Sequence, residues 1–308
     1  MFIFLYSNYM NNSNKFNIGN LYYIILLLIL LILYTSSNII YTDDNNINLL
    51  YYEKHIYSQH GEDGVTEKII DLIYDNDKSS KYYVEFGVEN GMECNTRILR
   101  EKYNWTGLLM DGSNNNKNIN LNQEFITKEN IVSLFKKYNV PSHINLLCID
   151  LDFNDFYILH EVLKLYTSDI IILEYNATFK SNEDKVVIYD KDTMWDGTNY
   201  FGASLYSYTK LCEKYNYTLV YVDSSGTNAY YIKNNIIINK KINILNMGDI
   251  NKIYRSPIYS NRDKVIYKIF GRYIGNFIQD KFMNRPYGGH IRDPYNRHLI
   301  LYEDALNY

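Results

Sequence analysis

The sequence runs to 308 residues, room for one large α/β domain with appendages or for two small domains. Its 31 Lys and Arg are outnumbered by 35 Asp and Glu, and no long basic stripe occurs, so nothing in the charge favours nucleic acid as a partner. Cys94, Cys148 and Cys212 are odd in number, far apart and without metal-ligand spacing, which argues against a disulfide framework or a cysteine zinc site.

Residues 1–20 carry one charged side chain, Lys15, among many asparagines and read as a short leader. From Phe16 to Thr42 there is no charge at all. The densest part, Leu21–Tyr34, extends to Tyr41, and 21 residues suffice to cross a bilayer at a rise of about 1.5 Å per residue. Thr35-Ser36-Ser37 is a poor cleavage site, which favours a transmembrane anchor over 21–41 against a signal peptide. Lys15 before the run and Asp43-Asp44 after it put the amino end in the cytosol and the rest of this single-pass protein in a lumen or outside. A polar linker over 42–56 follows.

Val65, Ile69 and Ile73 recur at helical spacing and predict a helix over 64–74. The apolar run 82–86 meets Gly87 and Gly91 and passes into a helical pattern near 95–103, giving strand, tight turn and helix. A second strand over 107–111 ends on Asp111. Glycines at the first turn let backbone N–H groups approach a ligand, and an acidic residue closing the next strand can accept both hydroxyls of a ribose. The stretch therefore predicts a nucleoside-type ligand at the strands' carboxyl ends.

An asparagine-rich loop leads to a helix over 129–138 and, past Pro141, to a strand over 145–150. A helix over 154–166, a strand over 169–175, a long polar loop and a helix over 203–215 come next. The strands 217–222 and 228–233 are joined only by Asp223-Ser224-Ser225-Gly226-Thr227, which forces them antiparallel. This order predicts a mostly parallel sheet with one reversed strand. Beyond 233 the pattern weakens: 234–308 reads as an extension with one helix over 263–282 and a surface tail over the last 25 residues.

Three groups fall just past predicted strand ends: Glu85, Gly87, Gly91 and Asp111; then Asp150, Asp152 and Asp155; then Glu174 and Asn176. A cluster of carboxylates needs water, hydrogen bonds or a cation to be buried. Asp152 and Asp155 also suit a helix N-cap and first turn, which the helix dipole favours. His60, His143 and His160 lack zinc spacing and read as surface or capping residues. No G-x-S-x-G elbow and no phosphate loop ending in GK[ST] is present.

SQHGED at 58–63, VEFGVENG at 84–91, Asn95-Thr96 and WTGLLMDG at 105–112 together resemble the FkbM-type S-adenosylmethionine-dependent methyltransferases. IDLDFND at 149–155, LEYN at 173–176 and YFGASL at 200–205 resemble an uncharacterised branch of that superfamily reading IDIDGND, IEYN and YFGASL. Phe153 stands in place of the glycine, and Cys148 in place of the usual lysine. The resemblance covers about 57–233. It implies a Rossmann-like methyltransferase fold, a seven-stranded sheet with Tyr82–Phe86 central and a closing antiparallel hairpin. It also implies that Glu85, Gly87, Gly91 and Asn95 surround the methionine part of S-adenosylmethionine, and that Asp111 takes the ribose hydroxyls. Asp150 then lies near the sulfonium, and Asp150, Glu174 and Asn176 deprotonate or screen a hydroxylated acceptor such as a glycan or small molecule. They do so directly or through a divalent cation, for which Asp150 and Asp152 are the candidate ligands. Two other readings stay open. Asp150-x-Asp152 after an apolar strand also suits a membrane-anchored, metal-dependent glycosyltransferase, and a degenerate domain could use the same surface only for binding.

Overall fold

A computed structural model describes residues 46–75, 77, 81–258 and 293–308. The described residues belong to one compact unit, Asn45–Tyr308. The expected leader, the anchor over 21–41 and the helix over 263–282 lie outside the described residues. Among the described residues no helix is long and apolar enough to cross a membrane.

In chain order the elements are α1 (Glu62–Tyr74), β1 (Tyr82–Phe86), α2 (Arg97–Tyr103), β2 (Thr106–Asp111), β3 (Leu121–Gln123), α3 (Ile131–Lys137) and β4 (His143–Ile149). Then come α4 (Asp155–Leu163), β5 (Thr167–Glu174), β6 (Val186–Val187), α5 (Leu205–Lys214), β7 (Tyr217–Val222) and β8 (Asn228–Lys233). The chain closes with α6 (Asn234–Lys240), α7 (Ile250–Ile253), β9 (Leu299–Ile300) and α8 (Tyr302–Ala305).

Seven strands form one sheet in the order β3-β2-β1-β4-β5-β8-β7. β1 to β5 are parallel, and β8 pairs antiparallel with both β5 and β7. Tyr82–Phe86 is thus an interior strand, while the middle place belongs to its neighbour β4. Side chains alternate across the sheet because the strand period is two. Val84, Phe86, Leu147, Ile149, Ile171 and Leu173 pack on one face against α3, α4 and α5. Tyr83, Leu109, Leu146, Cys148, Ile170 and Ile172 pack on the other against α1 and α2. Each such aliphatic side chain contributes about 1.5–3 kcal/mol by leaving water. With helices on both faces, the long strands read as nearly continuous apolar runs.

The hairpin turn is held by one side chain. Asp223 Oδ1 accepts from the backbone N–H groups of Ser225, Gly226 and Thr227 at 2.8, 2.9 and 3.2 Å, the local bonding that makes aspartate a turn former. The C-terminal residues depart from the surface tail expected of them. β9 pairs antiparallel with β6, and Tyr302 and Ala305 are buried in the main core. A two-residue strand has no period of its own, so its place is set by the partner it meets.

Candidate functional site

Strand order reverses between β1 and β4: the chain moves outward from β1 to β3 and returns to lay β4 on the other side of β1. Such a reversal leaves a crevice at the carboxyl ends of the strands. A cleft of about 460 Å³ opens there, in the range of small-molecule sites.

The first wall is the turn after β1. Gly87 has φ 68°, and a Cβ built on it would lie 1.5 Å from the carbonyl oxygen of Asp150, so only glycine lets the ends of β1 and β4 come this close. Gly91 has φ 76°, and its Cβ would meet Ile119 Cδ1 at 2.6 Å. Glu85 faces the cleft but serves chiefly to hold the turn. Its Oε1 accepts from Asn95 N at 2.8 Å, and its Oε2 from Thr96 N at 2.9 Å and Thr96 Oγ1 at 2.5 Å. A buried carboxylate thereby caps the start of α2, where unpaired N–H groups need an acceptor. Asn95 sends its Nδ2 to Cys148 Sγ at 3.4 Å, and burial pushes that thiol well above its ordinary pKa, so Cys148 packs as an inert small hydrophobe.

Asp111 closes β2 at the second wall. Its Oδ1 accepts from Ser113 N, Asn114 N and Asn114 Nδ2 at 2.8, 3.0 and 2.9 Å. Its Oδ2 accepts one bond, from Glu89 N at 2.9 Å, and a carboxylate oxygen has room for another donor.

The third wall carries the acidic group. Asp150 follows β4, Glu174 ends β5, and Asp152 lies at the mouth with its backbone in the left-handed region at φ 65°. Asp150, Asp152 and Glu174 each bring one oxygen within 4.8 Å of the others. Burial first, and then the neighbouring carboxylates Asp152 and Asp155, push Asp150 well above the carboxylate range. Burial and the charge of Asp150 do the same to Glu174, which is hydrogen-bonded to Asp150. Asp152, though exposed, is raised by partial desolvation and by Glu89. Two carboxyls so placed oppose each other's ionisation.

Asp155 sits in the first turn of α4, as expected, with Oδ1 accepting from Leu151 N at 2.6 Å. Burial pushes it up to about 7 against that hydrogen bond. Asn176 does not join the site. Its Nδ2 donates to the carbonyls of Asn199 and Phe201, both at 2.9 Å, and its Oδ1 accepts from Thr178, so the amide is spent on bracing the 199–203 loop. His160, expected to be a surface or capping residue, is also off the cleft: it lies in the last turn of α4 and is buried, not on the surface. Burial drives its pKa down to about 4, as suits an imidazole on the inward face of α4. Phe153, in the place of a glycine, packs against Val187 and Tyr200 and forms part of the cleft wall.

The structure adds residues that the pattern did not single out. Gln59 and Glu62 reach the cleft from the start of α1, and Thr227 and Asn228 from the start of β8. Their signal was present only as the SQHGED motif and the hairpin. Met194 and Trp195 come from the loop between β6 and α5, and Met194 is 70% exposed. No local signal marks these loop side chains as facing a cleft built on Asp150 and Asp152, far earlier in the chain.

Nine carboxyl side chains line the cleft: Glu62, Glu85, Glu89, Glu93, Asp111, Glu124, Asp150, Asp152 and Glu174. Among the described residues no Lys, Arg or His lines it. Low-dielectric walls of one sign focus the field, so the crevice attracts cations and donor-rich ligands and repels bare anions. No family model matches the chain, and no curated protein matches it.

Proposed function

We propose that the chain is an S-adenosylmethionine-dependent O-methyltransferase acting on a hydroxylated acceptor such as a glycan. The observation that carries this reading is the acidic crevice at the strand-order reversal, with the Gly87–Gly91 turn and Asp111 on one side and the Asp150–Glu174 pair on the other. S-adenosylmethionine is a net cation at neutral pH, since its sulfonium and ammonium outweigh one carboxylate, and it suits a wall without described basic side chains. A nucleotide diphosphate, the donor of the glycosyltransferase alternative, would meet nine carboxyls there unless a cation at Asp150-x-Asp152 bridged it. The seven-stranded sheet closing in an antiparallel hairpin and the FkbM-like motifs support the same reading.

When bound, the cofactor supplies an electrophilic methyl group. Asp111 would hold the ribose through Oδ2, the oxygen that accepts a single bond. Glu85 would act indirectly, by fixing the turn whose backbone meets the ligand. Asp150, with Glu174, would take or screen the acceptor's hydroxyl proton, directly or through a divalent cation, since a carboxyl whose pKa is raised is a stronger base than an ordinary one. Asp111→Ala is expected to weaken S-adenosylmethionine binding about ten- to hundredfold, equivalent to the roughly 1.5–3 kcal/mol of a charged hydrogen bond. Calorimetric titration checks this. An unchanged Kd removes the ribose role, and a parent protein that binds no S-adenosylmethionine retires the reading itself.

The uncharged run over 21–41 supports a membrane anchor that leaves the domain in a lumen or outside. Full-length protein is then expected to stay with the membrane fraction after alkaline extraction, and release of most of it argues for cleavage or peripheral attachment.

A further inference from the structure

We propose that Asp150, Asp152 and Glu174 hold a hard divalent cation, with Asn228 as a fourth oxygen donor. The three carboxylates stand within 4.8 Å of one another, and Asn228 supplies an independent sign that something is bound beside them. Asn228 is 3% exposed and opens on the same cleft. It stands directly opposite Glu174 in the β5–β8 ladder, so both side chains leave the same face of the sheet. Its Nδ2 donates to Glu62 Oε1 at 3.0 Å, while its Oδ1 is buried without any partner. Turning the amide round would only point that oxygen at the Glu62 carboxylate, so the assignment of Oδ1 is fixed by its surroundings. A buried carbonyl oxygen pays its full desolvation unless a donor or a cation meets it.

Asp155 Oδ2, on the α4 side, is a second buried oxygen lacking a partner. A donor set of carboxylates and one amide oxygen, without His or Cys, selects Mg²⁺, Mn²⁺ or Ca²⁺ over zinc or copper. The register of β4, β5 and β8 places Asp150, Glu174 and Asn228 on adjacent strand ends. The site deepens the methyl-transfer reading by putting a charge beside the acceptor hydroxyl, yet cation binding needs no cofactor, so each idea can fail without the other.

The test uses the full chain, stripped with EDTA and titrated with MnCl2, MgCl2 or CaCl2 alone. Bound Mn²⁺ is read by electron paramagnetic resonance beside the thermal midpoint. One Mn²⁺ per chain is expected, with the midpoint rising by about 5–10 °C at a hundred times Kd. Asp152→Asn, a change at an exposed side chain that leaves the core intact, should weaken Mn²⁺ by about tenfold or more. Asn228→Asp should bind Mn²⁺ about tenfold more tightly through its added charge, a gain that a merely structural role for Asn228 does not produce. Glu161→Gln, on the outer surface of α4, should bind as the parent does. The proposal is overturned if Mn²⁺ does not bind, if Asp152→Asn binds it as the parent does, or if spermidine raises the midpoint as much as Mn²⁺, which marks a diffuse cation patch. Unchanged affinity in Asn228→Asp removes Asn228 from the ligand set.

Discussion

Gly87→Ala is expected to destabilise the domain by more than about 4 kcal/mol, a large part of the roughly 5–15 kcal/mol that holds a typical domain together. Two costs add. Alanine at φ 68° is strained by about 1–3 kcal/mol, and its Cβ would overlap the Asp150 carbonyl oxygen, 1.5 Å away. The overlap is with backbone, so no rotamer relieves it and the ends of β1 and β4 must separate. Gly112→Ala is the control, since its Cβ would find only Phe125 Cδ2, at 3.9 Å. That variant should stay within about 0.5 kcal/mol of the parent. Urea unfolding of the three proteins decides the matter: a Gly87→Ala curve within about 1 kcal/mol of the parent would mean that β1 and β4 do not approach as described. The consequence reaches the candidate site, because the same close approach brings the Gly87–Gly91 turn next to Asp150.

Asp150→Asn is expected to act in opposite directions on stability and on turnover. In the parent, Asp150 is half-buried beside Asp152, Asp155 and Glu174, and desolvation and those carboxylates raise its folded pKa well above the ordinary value. A raised carboxyl contributes most to stability below its unfolded pKa, and that contribution is lost as pH rises through the folded pKa. The parent therefore gives up stability from about pH 4 upward, and the neutral amide does not. Without added metal, the variant should be more stable by about 1–3 kcal/mol near neutral pH, raising the midpoint by roughly 2–12 °C, and the gain should vanish near pH 4. Methyl transfer should fall by about a hundredfold or more, because the amide cannot take a proton, while S-adenosylmethionine affinity stays nearly intact. Melting curves across pH, run beside a transfer assay, separate the two effects. A variant less stable than the parent at neutral pH removes the like-charge account, and normal turnover places the chemistry elsewhere.

A site that costs stability when empty is what a functional cluster looks like, since selection tolerates the strain for the sake of the bound state. Glu89 and Asp152 agree with this: both face the cleft with left-handed backbones, at φ 48° and 65°, although neither is a glycine.

The sequence by itself determined the elements whose signal is local. Four parallel strands and five helices were legible within a few residues because apolar periodicity follows burial, and the hairpin because five residues cannot carry a chain across a sheet. Glu85, Gly87, Gly91, Asp111, Asp150 and Glu174 were legible as a candidate site because ligands gather at the ends of parallel strands. Tertiary structure decided the rest. β3 is three residues, Leu121–Gln123, in an asparagine-rich stretch, and exists only because β2 offers it an open edge. β9 and Tyr302 belong to the core because β6 awaits them, a pairing across more than 100 residues, roughly a domain's length, that no local pattern encodes. Asn176 follows a strand end as closely as Asp150 does, yet its amide is consumed by a loop. Asn228 was marked in the sequence only as the start of a hairpin strand. Its buried, unpartnered oxygen arises from the β5–β8 register, which sets it opposite Glu174, and from the Glu62 side chain that claims its other end.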